Sequence, residues 1–253
     1  MSHHASKLDN GNYIVLREVS VGTSGTTGTR VEELTPDNQL AWSWNLADHV
    51  DPSNATGDWC HGNSVTIDLV EDTLYLSCRF LGVFKANRTG DQSVLWHMAG
   101  TYGDLPGDMG FIPSESQFSD QHDPEVHADG TILLYDNGGY AGLSGGTTNY
   151  HSRVLEFAVD ETTKEASLVW EFPGEFPVDS WYTDGWYSAF WGDADRLLNG
   201  NVLVTGAVRT TAEGSRVFEV TPAGQIVWEI TLPPNNGVYR AERLSPPPLV
   251  RPL

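Results

Sequence analysis

The stretch SRVLEFAVDETTKEASLVWEF (residues 152–172) is one of four related copies along the chain. Its relatives are TRVEELTPDNQLAW (29–42), GVFKANRTGDQSVLW (82–96) and SRVFEVTPAGQIVW (215–228). Each copy joins two strand-like apolar runs through a turn-forming segment and has a tryptophan at or near its end. Units of short strands that repeat at roughly 50-residue intervals are typical of propeller blades or stacked β-arrays. The sequence therefore predicts an all-β fold.

Each repeat reads as four antiparallel strands joined by turn residues such as Asp129-Gly130 and Asn199-Gly200. The prediction is one β-propeller domain over residues 1–253, with blades at about 3–46, 59–99, 120–173 and 190–232. The segment VYRAERLS would be the inner strand of a partial fifth blade at 237–245. Because the chain opens on an inner strand, we expect either a small closed ring or, with more weight, missing upstream blades.

The overall composition excludes several classes of partner. The net charge is −20, which argues against nucleic acid and against an anionic membrane surface. An anionic ligand would need locally placed Arg or His. The sequence contains neither a run of about 18 apolar residues nor an apolar signal segment near the start. The cysteines, Cys60 and Cys78, fit a disulfide in an oxidising compartment or two buried free thiols, and both alternatives stay open.

Histidines recur at matched positions of the repeat. The innermost strand of each blade lines the channel of a propeller, so equivalent residues face one another around its axis. Counting back from the turn glycines places His3, His122 and Gly192 at one shared position, and His61 opens the corresponding strand of the second unit. The pattern predicts a functional site at one mouth of the channel.

Several polar residues lie near these histidines and are candidates for the same site. Asn63, Asp123 and Asp193 follow the matched positions, and Arg79 is in the same unit as His61. Arg79 is a candidate for binding an anion. The two aspartates would orient an imidazole or accept a proton, or they would only form turns at the start of a strand.

Other repeated or isolated residues are interpreted as structural. His127 takes the place of leucines in other repeats and is expected to be a packing residue. Three arginines, each just before a glutamate, are expected to form ion pairs of the scaffold: Arg30, Arg153 and Arg216. Three further histidines are expected to be solvated: His49, His97 and His151.

Clustered histidines are compatible with three kinds of chemistry. Three imidazoles can hold a metal ion, although the short spacings usual for metal ligands are missing here. An imidazole can also act as a nucleophile, with cationic neighbours that stabilise an anionic group. The third possibility is ligand binding without turnover.

The chain resembles the arylsulfotransferase family, the bacterial sulfotransferases that do not use a nucleotide sulfate donor. The motifs that carry this resemblance are DWCHGNSV (58–65), LSCR (76–79), QHD (121–123), LLYDNG (133–138), SRVLEF, NGNVLV and YRAERL. The resemblance implies a six-bladed propeller in the periplasm or outside the cell. It also implies sulfuryl transfer from a phenolic sulfate ester to a phenol through a transiently sulfated histidine, with no cofactor.

The resemblance assigns roles to individual residues. His61 and His122 fall on the family motifs DWxH and QH and are the candidate catalytic residues. The candidate substrate-binding residues are His3, Arg79, Asn63, Asp123 and Asp193, and no metal site is expected. The sequence departs from the family at Gly139-Tyr140, where an Arg often follows DNG, and at Gly192-Asp193, which stand at the channel position of the fourth blade.

The prediction is therefore an arylsulfotransferase-like enzyme that acts on small aryl sulfates and phenols. The main alternative is a non-catalytic propeller that binds a ligand or a protein at the channel mouth. A metal-dependent hydrolase is the third alternative.

Overall fold

The computed structural model describes residues 3–22, 25–100, 105–138, 152–173, 187–206 and 214–244. Within these ranges the first two sheets consist of β1 (Ala5–Lys7), β2 (Tyr13–Ser20), β3 (Thr27–Leu34), β4 (Leu40–Asn45), β5 (Gly62–Asp68), β6 (Thr73–Cys78), β7 (Gly82–Asn87) and β8 (Val94–Ala99). The other two consist of β9 (Gly110–Ile112), β10 (His122–Val126), β11 (Thr131–Asp136), β12 (Arg153–Asp160), β13 (Glu165–Phe172), β14 (Asp193–Arg196), β15 (Val202–Gly206), β16 (Arg216–Val220) and β17 (Ile226–Thr231).

The strands form four separate sheets in chain order, which we number 1 to 4. Each sheet contains four consecutive strands that pair antiparallel with their neighbours, and in sheet 3 the short strand β9 adds a parallel edge to β13. The predicted all-β, propeller-like fold of four-stranded antiparallel sheets is confirmed. The described helices are two three-residue 3₁₀ turns, at Leu46–Asp48 and Ser114–Ser116. Neither of these described turns has the length or apolar character to cross a membrane.

The repeated tryptophan has the same place in all four sheets. Trp42, Trp96, Trp170 and Trp228 each lie on the outermost main strand, opposite a charged residue of the third strand. In every sheet the register between these two strands shifts directly after that pair. A β-bulge at one repeated position increases the local twist of the strands, so the sequence repeat corresponds to a repeat in backbone geometry.

The tryptophan side chains also connect one sheet to the next. The indole N–H of Trp42 donates to the backbone oxygen of Arg88 in sheet 2, at 2.9 Å. Trp96 reaches the carboxylate of Glu161 in sheet 3 at 3.0 Å, and Trp170 reaches the backbone oxygen of Pro222 in sheet 4 at 2.9 Å. Trp228 of sheet 4 is 46% exposed.

The hydrophobic core is divided into layers between successive sheets. One buried cluster joins sheets 1 and 2 around Trp44 and Leu76, a second joins sheets 2 and 3 around Trp96 and Phe157, and a third joins sheets 3 and 4 around Phe218. The inner strands β5, β10 and β14 contact one another in sequence. Residues at the starts of these strands are therefore brought to one region.

Two features beside the sheets bear on the site. Cys60 and Cys78 form a disulfide, with their Cα atoms 4.8 Å apart, so the first of the two alternatives for these residues is the one observed. Residues 237–244, expected to form an inner strand, contain no β-strand. Among the described residues no strand pairs with this segment. Tyr239 and Arg240 contact His3 and Asp123 near the starts of inner strands, and Arg243 pairs with a residue of β16.

The repeated arginines form the expected ion pairs, though mostly with other partners than the following glutamate. Arg30 pairs with Glu32 of its own motif. Arg153 pairs instead with Asp136 at 2.9 Å and Arg216 with Glu229 at 2.6 Å, both on neighbouring strands.

Two expectations about histidines are wrong. His97 is buried, not solvated, because its ring stacks on Phe84 with centroids 4.0 Å apart and its Nε2 contacts the Leu81 oxygen at 2.6 Å. His127 does not pack like a leucine but lies 3.1 Å from Glu125 and 3.3 Å from Glu156, whose hydrogen bonds raise its pKa to about 9. His49 is exposed as expected, with its ring stacked on Trp44. His151 and the Gly139-Tyr140 departure lie outside the described residues.

Candidate active site

Two of the matched histidines are in direct contact. His3 lies just before β1 and His61 just before β5, and their Nε2 atoms are 3.1 Å apart. The two residues are separated by 58 positions in the chain. They meet because the inner strands of sheets 1 and 2 begin at the same end of the molecule.

His61 is held in place by Asp58. One carboxylate oxygen of Asp58 accepts the backbone N–H of His61 at 3.1 Å, and the other contacts the ring Nδ1. The backbone of His61 is left-handed, with φ of 50°, and the neighbouring Cys60 is fixed by its disulfide. A carboxylate accepts a proton, so the neutral imidazole carries its hydrogen on Nδ1 and has its lone pair on Nε2. The Nε2 of His3 is then the donor in the contact between the two rings.

His3 is an exposed residue whose ring is still partly shielded. Partial burial and the neighbouring His61 lower the pKa of His3, and the Arg79 charge acts in the same direction. His3 is therefore neutral at pH 7 and can donate a hydrogen bond from one ring nitrogen only.

His122 is buried at the start of β10. Its Nδ1 donates to the side-chain oxygen of Asn137 at 2.7 Å and to the backbone oxygen of Asp120 at 3.0 Å. Its Nε2 accepts the backbone N–H of Trp191 at 3.3 Å. Burial lowers the pKa of His122 to about 3, against the opposing effect of the Asn137 hydrogen bond. Both ring nitrogens of this neutral imidazole are thus engaged.

Arg79 supplies the positive charge of the site. Its Nε donates to Asp120 at 2.9 Å and its Nη2 to the backbone oxygen of Ala189 at 3.1 Å. The guanidinium also lies over the Phe80 ring, with 5.2 Å to the centroid, and Phe80 packs beside His61. Since Asp120 also accepts from His122 through its backbone, Arg79 and His122 share one support.

Tyr239 lies among the histidines. Its ring stacks on His3 at 5.6 Å with an interplanar angle of 5°, and it meets His122 edge-on at 6.2 Å. Its hydroxyl donates to the backbone oxygen of Asn63 at 3.4 Å. The Asn63 side chain in turn donates to the Gln121 oxygen at 2.6 Å, directly before His122. Asn63 therefore supports the backbone around the site.

Asp123 and Asp193 belong to a second, acidic group beside the histidines. Asp123 pairs with Arg240 at 2.5 Å. Asp193 is buried, and burial together with the adjacent Asp123 carboxyl raises its pKa. His4 is also buried here, and burial followed by the Arg240 charge lowers its pKa to about 4.

The fourth matched position holds a glycine for a steric reason. Gly192 has φ of 114°, and a Cβ atom there would lie 2.5 Å from the Tyr135 ring. Its N–H donates to the Tyr239 oxygen at 3.4 Å. No side chain fits at this point, so sheet 4 contributes backbone and not an imidazole at this position.

The structure thus brings His3, His61, His122 and Arg79 to one region, with Asn63 as a support and the two aspartates beside it. Sequence reasoning missed Tyr239, Asp58 and Asn137. A signal existed for two of them, because Asp58 opens the DWCH motif and Tyr239 opens YRAERL. For Asn137 the motif DNG was read only as a turn.

Near the starts of the inner strands, imidazole side chains lie close to the Arg79 guanidinium. With the four-stranded sheets, this arrangement defines a propeller-like protein that has a candidate site for anion binding and nucleophilic attack. The family model of arylsulfotransferase (ASST) matches residues 1–240, and the chain belongs to this family.

Individual relatives are more distant. Arylsulfate sulfotransferase AssT from Escherichia coli O6:H1 (strain CFT073) is 29% identical over 145 residues, which is 48% of this chain and 24% of that protein. The match thus spans about a quarter of the length of this relative. Among solved structures, the periplasmic gluconolactonase PpgL of Pseudomonas aeruginosa matches with a TM-score of 0.41 and 13% identity, covering 91% of this chain and 70% of the other.

Proposed function

We propose that this protein transfers a sulfuryl group from a phenolic sulfate ester to a phenol, with His61 as the nucleophile. The observation that carries this proposal is the arrangement of His61: Asp58 holds Nδ1, and within the described part of the chain the Nε2 lone pair accepts only the N–H of the His3 side chain, at 3.1 Å. His3 is exposed and can turn its N–H from this lone pair to an incoming sulfuryl oxygen, whereas the donor on the His122 lone pair is the backbone of Trp191. An imidazole oriented by a carboxylate on one nitrogen is an activated nucleophile on the other.

The reaction proceeds in two steps. The His61 Nε2 lone pair forms a bond to sulfur while the bond from sulfur to the aryl oxygen breaks and a phenolate leaves. The oxygen of the acceptor phenol then forms a bond to sulfur as the N–S bond breaks, and its proton is taken up by the first phenolate. Asp58 stabilises the positive charge that develops on the His61 ring in the first step.

The neighbouring groups suit the charge of the transferred sulfuryl group. The His3 N–H contacts His61 and the Arg79 charge acts on His3, so both groups would neutralise charge on the sulfuryl oxygens. The stacking of Tyr239 on His3 supports an aryl substrate, because a phenol ring already packs against this imidazole. Both ring nitrogens of His122 are hydrogen-bonded, so in this proposal His122 is a fixed, uncharged side chain that borders the substrate. Its hydrogen bond to Asn137 holds the ring in position.

The test is release of 4-nitrophenol from 4-nitrophenyl sulfate with and without an added phenol. We expect release that depends on the acceptor and a sulfated intact protein, detected by mass spectrometry at neutral pH, when the acceptor is omitted. His61→Asn and Asp58→Asn should lower the rate by about 10² or more. His49→Asn, an exposed imidazole outside the site, is the matched control. Full activity in His61→Asn would remove this residue from the role of nucleophile.

His122→Ala tests the second candidate catalytic residue. We expect loss of turnover with the fold retained, as judged by circular dichroism. Unchanged turnover would show that His122 has no part in the reaction.

One observation favours a second candidate function, the binding of an aryl sulfate without turnover. Gly192 leaves the fourth position without an imidazole, and the Trp191 N–H occupies the His122 lone pair. Calorimetric binding of 4-nitrophenyl sulfate by a protein that releases no nitrophenol would favour this candidate.

The proposed location is the periplasm or the exterior of the cell. The Cys60–Cys78 disulfide supports it, because such bonds persist in oxidising compartments and are rare in the cytosol. Fractionation of the producing cells, followed by detection of the protein, tests this location.

A further inference from the structure

The acidic group beside the histidines contains three carboxylates that converge on one point. They belong to Asp193 and Asp195 of β14 and to Glu242 of the segment after sheet 4, and one oxygen of each lies within 4.8 Å of the others. Alternate residues of a strand face the same side, so the two aspartates project together. Glu242 is brought to them by the segment that also carries Tyr239.

The burial of Asp193 requires an explanation. The residue is 1% exposed, and neither of its carboxylate oxygens accepts a hydrogen bond from a described residue. One oxygen of Asp195 is likewise buried and without a partner among the described residues. A buried carboxylate without a hydrogen bond or a counter-charge costs several kcal/mol, so such a group is protonated, is paired with a cation or binds a metal ion. The pKa of Asp193 is raised, so a cation that binds here displaces a proton from this carboxyl group.

The nearby cations do not supply the missing charge. Arg240 is the cation that faces both aspartates, and it pairs with Asp123 at 2.5 Å. Arg196 and Arg243 lie at the same end of sheet 4, but they pair with Glu156 and Glu219. Negative charge therefore exceeds positive charge around the three carboxylates.

The site is reachable from solvent. A cavity of about 420 Å³ is lined by Asp195 and Glu242 together with Glu125. Asp195 is half-buried and Glu242 is exposed, while the buried Asp193 does not line the cavity itself but has a carboxylate oxygen within 4.8 Å of theirs. An ion that enters through this cavity would keep water on the outer side and meet three carboxylates on the inner side.

We infer that Asp193, Asp195 and Glu242 bind a hard divalent cation, Ca²⁺ or Mg²⁺. The donor set is entirely oxygen, which suits these ions and not the nitrogen and sulfur preference of zinc. Three carboxylates leave positions for water, and both ions accept water as a ligand. The cation joins the inner strand of sheet 4 to the segment 237–244 and so fixes the position of Tyr239 against the histidines.

The test is calorimetric titration of the chelator-treated protein with CaCl₂, and separately with MgCl₂ and ZnCl₂. We expect saturable binding of one Ca²⁺ or Mg²⁺ per chain and weaker binding of Zn²⁺ at this site. Asp193→Asn and Glu242→Gln should each lower the affinity at least 10-fold. Glu18→Gln, which removes one exposed charge from β2, is the matched control and should bind as the unmodified protein does.

The thermal midpoint gives a second measurement that does not depend on enzymatic activity. Ca²⁺ or Mg²⁺ should raise the midpoint of the unmodified protein and of Glu18→Gln, but not that of Asp193→Asn. Glu242 is exposed, so Glu242→Gln keeps the test valid if the substitution at the buried position prevents folding. Absence of saturable binding below about 10 mM, roughly ten times weaker than extracellular calcium modules, would overturn the inference. So would equal affinities in the unmodified protein, Asp193→Asn and Glu242→Gln.

Discussion

The neutral state of His122 makes the fold sensitive to acid in a calculable way. Its pKa is about 3 in the folded protein, against 6.5 for an exposed histidine. Because the folded value is the lower one, the stabilising contribution is complete above pH 6.5 and is lost as the pH falls toward 3. At pH 4.5 the histidine is charged in the unfolded chain and neutral in the folded protein.

The size of the effect follows from the two pKa values. At pH 4.5, two units below the unfolded-state pKa of 6.5, the unfolding free energy of the protein is lower by about 2.7 kcal/mol, at about 1.36 kcal/mol per pH unit. Any folded-state pKa below about 4 gives nearly the same loss of unfolding free energy, because His122 is then mostly unprotonated in the folded protein at pH 4.5. The His122 ring is buried, so solvent screening does not reduce this free-energy loss.

Urea unfolding at pH 7 and pH 4.5 measures this contribution. The comparison is between the unmodified protein and His122→Asn, because His4 and the acidic group are the same in both. We expect the unmodified protein to lose about 2.7 kcal/mol more than the variant between the two pH values. Equal losses would refute the reasoning that burial keeps this imidazole neutral.

Three further predictions concern the scaffold. Gly192→Ala should destabilise the protein by at least about 2 kcal/mol in urea unfolding, because its Cβ meets the Tyr135 ring and its φ is positive; an unchanged midpoint would contradict this contact. Replacing Cys60 and Cys78 by serine should cost about 3 kcal/mol for a sequence separation of 18 residues, and a midpoint insensitive to reductant would argue against the bond. His127 should titrate by NMR near pH 9, so the stability that it contributes is complete below pH 6.5 and lost as the pH rises through 9; a titration below pH 6.5 would exclude its ion pairs.

The sheets could be predicted because local signals repeat. Turn residues, alternating apolar runs and the terminal tryptophan recur in each unit, and the same spacing predicts that His3, His61 and His122 lie in one region. Residues at the same repeat position come to matching places in their sheets as long as each unit has a similar length between the turn and the start of the inner strand.

The partners of those histidines could not be predicted in the same way. Tyr239 contacts the backbone of Asn63 across 176 residues and lies outside any strand, so no repeat position marks it. His97 is expected to be solvated from its place near a strand end, but it pairs with Phe84 of the neighbouring strand and its ring stacks on that side chain. Long-range packing of irregular segments sets these details, and it leaves little trace in a single sequence.

The exposed tryptophan of sheet 4 has a practical consequence. Trp42, Trp96 and Trp170 have their indole N–H groups bonded to the following sheet, whereas Trp228 is 46% exposed on a strand whose every residue is exposed. Its fluorescence emission should therefore be red-shifted and open to quenching by iodide. Any molecule that covers β17 would shift this emission to shorter wavelength, so the chain contains its own optical reporter of contact at that face.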